Sequence, residues 1–174
     1  MENQQNSSKK VILNYGLILA GISILLHVAL YAMGKHLEQD WKTTVLSIAL
    51  TTVVLVLGIK KFKESNNGFL TLGEGLKVGI GIALVSTVIY IIYTMLFMNV
   101  IAPETMDQSL EIAREKLLEN PNMSEDQIDA ALEMQKKFSS PGILAAVMLV
   151  FSLFISFVIS LIASLVMQKK EDQY

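Results

Sequence analysis

Hydrophobic and polar positions along this chain come in blocks rather than with a steady helical or strand period. Residues 11–34, 43–59, 78–102 and 143–167 contain no Asp, Glu, Lys or Arg, and together they take 91 of the 174 positions. All 30 charged residues crowd into the remaining 83. Uncharged apolar runs of this length mark helices solvated by lipid, because a water-soluble domain with four of them would have no polar surface to present. At about 1.5 Å rise per residue, the runs of 24 and 25 residues reach roughly 36–38 Å, enough to cross a hydrocarbon core of about 30 Å with tilt. The pattern predicts an all-α integral membrane four-helix bundle with spans at 11–34, 42–60, 72–102 and 141–168.

The second run is the shortest, at about 26 Å by the same rise. Trp41 sits where an indole anchors in the headgroup layer, and Lys42 and Lys60 snorkel outward from its two ends. In the first run twelve Val, Leu and Ile residues contribute about −4 to −7 kcal/mol to insertion, which outweighs Asn14 and His27. That run follows Lys9 and Lys10 as a signal peptide would. It is much longer than a cleavable apolar region, however, and no small-x-small site follows it, so it is read as a retained span. Residues 1–10, rich in Asn, Gln and Ser, are expected to be a disordered cytoplasmic tail, with 169–174 as a second tail.

The connecting segments carry local signals. After a basic start, 60–77 turns at Asn66, Asn67 and Gly68 and then presents Thr71 and Glu74 at capping-box spacing. The third helix is therefore expected to start near Leu72 and run to Ala102, where Pro103 interrupts it. Segment 103–140 reads as two short amphipathic helices parted by Asn120, Pro121 and Asn122, with a second capping box at Ser124 to Gln127 and an i,i+4 pair from Glu133 to Lys137. Ser140 and Pro141 are a natural N-cap and first residue for the last helix.

Charge orients the scheme. With the N-terminus inside, eight Lys and Arg fall inside and six outside, and eleven of the sixteen acids lie outside. This predicts both termini in the cytoplasm and an acidic, helical, extracytoplasmic segment between spans three and four, with nine acids and four bases. That segment contains no calcium-loop spacing, and solvation of its helices accounts for the charges.

Candidate chemistry is sparse. No cysteine is present, which removes disulfides, thiolate metal sites and cysteine nucleophiles. There is no phosphate-binding loop, zinc-protease helix or nucleophile elbow. No catalytic residue, cofactor or metal is expected, and nothing points to nucleic acid. The clearest pattern is Ser152, Ser156, Ser160 and Ser164, a four-residue stripe in the last span. Small residues at that spacing let helix backbones approach closely, and the stripe is expected to pack with Gly75 and Gly79 of the third span and with Thr43, Ser47 and Thr51 of the second. The alternative is a polar strip lining a pore. His27 is the sole imidazole inside a run and a functional candidate by its depth, with an interfacial neutral histidine beside Tyr31 as the simpler reading. Glu74 reads as a cap first and as a carboxylate ligand second. Asn14, near the end of the first span, can reach headgroups or another helix, and Tyr90 and Tyr93 read as amphipathic packing residues.

Two segments carry a resemblance: 68–79, Gly-Phe-Leu-Thr-Leu-Gly-Glu-Gly-Leu-Lys-Val-Gly, and Met123 to Ile128 continuing through Leu132, Glu133, Met134, Gln135, Lys136 and Lys137 to Phe138. With the four-span layout around them, the chain resembles the small four-span bacterial membrane proteins known only as a domain of unknown function. The resemblance implies a bacterial cytoplasmic membrane location and supplies no activity or catalytic residue. From the residues and the resemblance together, the expected function is a non-enzymatic accessory or interaction protein, in contact with the lipid bilayer and with a second copy or another membrane protein. The rival expectation is a subunit of a small oligomeric transporter or channel lined by the serines, His27 and Glu74. A lipid-directed membrane enzyme is a third reading, with no nucleophile or metal cluster to carry it.

Overall fold

The computed structural model describes residues 2–38 and 40–169, with side chains from Ser7 onward. Among these residues the chain forms six α-helices and one π-helical turn, and no named strand. Two compact units are distinguished, one of residues 1–90 with 149–174 and one of residues 91–148.

Four helices are long and apolar enough to cross a membrane: Ser7–Ala32, Trp41–Ser65, Leu72–Ile101 and Pro141–Met167, of 26, 25, 30 and 27 residues. Their outward faces fit lipid and not water. Leu25, Phe151, Phe154 and Val166 are among many large apolar side chains left open, Val166 at 81%. The transfer of such surface into a hydrocarbon phase is favourable, so the exposure that would precipitate a soluble domain is the solvation shell of a membrane protein.

α1 (Glu2–Ala32) begins ahead of the apolar run, where the sequence suggests an irregular lead-in. From Ser7 on it has a tertiary neighbour: Ser7 Oγ donates to Ser65 Oγ at 2.6 Å and Ser8 is buried. Met1 and residues 170–174 of the expected tails lie outside the described residues.

α2 (Trp41–Ser65) is capped by Asp40, whose carboxylate accepts from the Lys42 N–H at 3.0 Å. It continues through the lysines to Ser65, which lengthens the shortest apolar run to about 37 Å of helix. Asn67 and Gly68 then adopt positive φ, 53° and 81°, and end it at the expected turn. α3 (Leu72–Leu96) opens on the expected box, with Glu74 Oε2 accepting from both the N–H and the hydroxyl of Thr71 at 2.8 Å. The helix does not stay regular to Ala102. Phe97–Ile101 is a π-helical turn closed by the Ala102 N–H on the Phe97 carbonyl at 2.8 Å, and within it the Asn99 amide takes the Met95 carbonyl at 2.7 Å. Pro103, with no N–H to give, follows at once.

In the second unit, α4 (Thr105–Leu118) and α5 (Glu125–Phe138) pair, with Gln135 reaching Ser109 at 3.4 Å. Ser124 and Gln127 form the reciprocal capping box expected there. Phe97, Ala102, Thr105 and Ile128 are its buried residues. The expected Glu133–Lys137 pair is not made. Exposed pairs of this kind gain little, and among the described residues the one ion pair is Lys61–Glu64 at 3.4 Å.

α6 (Pro141–Met167) completes the chain's helices. In the first unit, Leu55, Ile59, Val78 and Ile82, all fully buried, make the centre of an apolar core shared by α2 and α3, with Leu19 of α1 and Ala163 of α6 in the same cluster.

Candidate functional site

The serine stripe of α6 is a seam against α3. Gly75 lies against Ser164 and Gly79 against Ser160, so closely that a Cβ added at either glycine would fall on the facing serine hydroxyl. Further along, Thr87 Oγ1 and Ser152 Oγ share a hydrogen bond at 2.6 Å. The pairs step together in opposite directions, which fixes an antiparallel register and sets Ala83 opposite Ser156, each 1% exposed. Four small pairs in one register allow the two backbones to approach as side-chain packing alone would not. Ser160 and Ser164 are fully buried, and their hydroxyls have no hydrogen-bond partner among the described residues.

Thr43, Ser47 and Thr51 of α2 behave differently. Ser47 donates to the Thr43 carbonyl at 2.9 Å and Thr51 to the Ser47 carbonyl at 2.8 Å, so these hydroxyls are spent on their own helix. The structure thus brings together Ser152, Ser160, Ser164, Gly75, Gly79 and Thr87, and no α2 hydroxyl is among the atoms nearest Gly75 or Gly79. The partner that sequence reasoning missed was Thr87, visible as the next small polar residue on the face of Gly75, Gly79 and Ala83.

His27 lies at the far end of α1 in a group of rings. His36, from the α1–α2 connection, meets it edge-on with centroids 6.3 Å apart, and Tyr90 of α3 does so at 6.4 Å. Tyr31 packs edge-on to His36 at 4.9 Å. The connection reverses through Gly34, whose φ of +70° suits a residue without Cβ, and this brings His36 back over the helix it has just left. The functional candidate His27 therefore has a second imidazole beside it that the sequence showed only as a loop residue. Tyr93 stacks in a tilted arrangement on Phe97 at 5.9 Å. Asn14 is exposed on the outer face of α1, and Glu74 is engaged as the α3 cap.

A further device was not legible in the sequence. The segment joining α2 to α3 is stitched to the chain's last described residues by a two-residue antiparallel bridge, Leu70 N–H to Lys169 carbonyl and Lys169 N–H to Leu70 carbonyl, both 2.9 Å. Lys63 Nζ donates to the Met167 carbonyl at 2.8 Å, satisfying a terminal acceptor of α6 at the negative end of its dipole. The Lys169 ammonium stands 5.7 Å from the centre of the Phe69 ring.

Among the described residues no group of three or more His, Asp or Glu side chains is placed to hold a metal ion. Neither a curated protein nor a solved structure matches the chain. A family profile does match, over residues 14–169, and so takes in all the features just described from Asn14 to the Lys169 bridge. The chain belongs to the family described as a protein of unknown function, DUF4199.

Proposed function

We propose that this membrane protein is a non-enzymatic accessory protein of the bacterial cytoplasmic membrane, with both termini inside, and that α4 and α5 present its partner-binding surface. The observation that carries this reading is the apolar set on that helix pair. Leu118, Met134 and Phe138 are 57%, 61% and 57% exposed, on helices otherwise covered with charge. Large apolar side chains left open on a charged surface are the usual anchors of a protein contact. The serine stripe, by contrast, is consumed inside one chain, which moves the interaction surface away from it.

The test is in-cell crosslinking of the tagged chain, gentle extraction, native mass measurement and identification of the captured protein, with Met134→Gln/Phe138→Gln beside the wild type. A distinct membrane protein captured reproducibly, and lost in the double variant, supports the reading. A homo-oligomer alone, unchanged by the substitutions, overturns it.

The ring group at His27 favours a second reading, a transporter subunit whose path passes the neighbouring imidazoles of His27 and His36 near one end of the spans. It requires flux of an ion or solute in proteoliposomes with a pH dependence altered by His27→Ala. Flux at the level of protein-free vesicles sinks it.

A further inference from the structure

Two helix–helix registers and one bridge in the first unit place lysines at one height. Gly16 of α1 lies against Val85 of α3, and Gly81 of α3 against Ile12 of α1. Both pairs share one offset, so α1 and α3 run parallel and Lys77 stands level with Ser8, beside Lys9 and Lys10. α2 runs antiparallel to α1, with Ser65 at Ser7 and Gly58 at Tyr15. That register brings Lys60, Lys61 and Lys63 within one helical turn of Lys9 and Lys10 in height. Lys169 reaches the same end through its bridge to Leu70.

These lysines divide by what they do. Lys63 caps α6, Lys169 stands over Phe69 and Lys61 pairs with Glu64. Lys9, Lys10, Lys60 and Lys77 are exposed and make no hydrogen bond or ion pair among the described residues. The two carboxylates described at this end, Glu64 and Glu74, are engaged with Lys61 and Thr71. At the opposite end of α1 and α2, Lys35 and Lys42 are balanced by Glu38 and Asp40. These ammonium groups, without a partner among the described residues, sit where the apolar runs give way to polar chain, and a bilayer spanned by those runs has its phosphates near that level. Asn14, one turn along α1 from Lys10 toward the apolar run, has its side chain exposed.

We propose that this end of the helices binds the headgroup of an anionic phospholipid, with Lys9 and Lys10 of α1 and Lys77 of α3 holding the phosphate and Asn14 contacting the glycerol esters. Charge complementarity identifies the occupant. Fixed ammonium groups next to hydrocarbon meet a phosphodiester whose acyl chains lie along the exposed apolar faces of the same helices, a combination that free phosphate does not offer. Lysines at one height on two helices that touch each other, α1 and α3, distinguish a binding place from a diffuse basic edge.

The full chain is reconstituted in phosphatidylcholine bilayers containing a minor fraction of phosphatidylglycerol, and the ratio of protein-associated to bulk lipid is measured with spin-labelled lipids of each headgroup. The wild type is expected to prefer phosphatidylglycerol about fivefold, the order given by one lysine near an anionic lipid surface, and high salt is expected to reduce the preference. Lys9→Gln/Lys10→Gln/Lys77→Gln is expected to bring the ratio close to one, while Lys35→Gln/Lys42→Gln leaves it as in the wild type. Inorganic phosphate is added as a competitor and should not displace the labelled lipid. A wild-type ratio near one overturns the proposal by itself, whether or not the triple variant folds. An undiminished preference in a triple variant of wild-type helicity, an equal loss in the control variant, or displacement by inorganic phosphate also overturns it.

Discussion

At residue scale, the contact of Gly79 with Ser160 leaves no room for one more carbon, and it is the tightest of those made at the glycines. Gly79→Ala is expected to destabilise the chain by about 1–3 kcal/mol, the ordinary penalty for overpacking a filled interior. Gly79→Ala combined with Ser160→Gly should recover most of that loss, since the second substitution removes the atoms the new methyl strikes. Unfolding in mixed micelles reads both, and strict additivity of the two substitutions would show that the pair does not touch. The hydroxyls of the same seam separate into two kinds. Ser160 Oγ is buried with no partner among the described residues, so Ser160→Ala is expected to be neutral or stabilising. Thr87 and Ser152 bond each other, and Thr87→Val should cost about 0.6 kcal/mol, typical of a hydrogen bond between membrane helices. Equal losses from the two substitutions would contradict this division.

At the scale of elements, the ends of helices were legible because capping is local chemistry. Thr71 with Glu74, Ser124 with Gln127, and the Asn67–Gly68 turn each need only residues within a few positions of one another, and each is formed. Thr71→Ala is expected to lose about 1 kcal/mol through unpaired first-turn amides of α3. Hydrogen exchange localised to 71–75 measures it, and an unchanged rate there would mean that tertiary contacts alone hold the turn. What the serine stripe faces was not legible in this way. Its period was plain, but a period names one face of one helix, and the partner depends on register. The α2 hydroxyls look equally suitable in sequence, yet Ser47 and Thr51 bond to their own backbone, which an isolated run of Thr and Ser cannot reveal. The π-helical turn at Phe97–Ile101 was hidden for a related reason. Its letters are as apolar as the helix before it, and only the combination of Asn99 on the Met95 carbonyl with Pro103 ahead separates the two.

At the scale of the whole chain, the four spans could be read directly, since lipid tolerates no unpaired backbone and almost no charge, and a block pattern in the sequence is the result. The contacts that join distant segments of the first unit could not, because they hang on very few residues. His36 reaches His27 only through the turn at Gly34, and the last described residues reach the α2–α3 connection through a single bridged pair. That pair makes a prediction about how the unit is held. Leu70 is fully buried, although it lies in a connection between helices, and its N–H and carbonyl are both satisfied by Lys169. Removal of 168–174 withdraws both partners at once. With two hydrogen bonds at about 1 kcal/mol each, the Leu70 amide should exchange roughly thirtyfold faster in the truncated chain. The amides of α4 and α5 belong to the other unit and should keep their rates. If Leu70 is as protected after truncation as before, the bridge is a consequence of where the helices end and not a cause. If instead α4 and α5 loosen as well, the two units unfold as one and the division between them does not describe their stability.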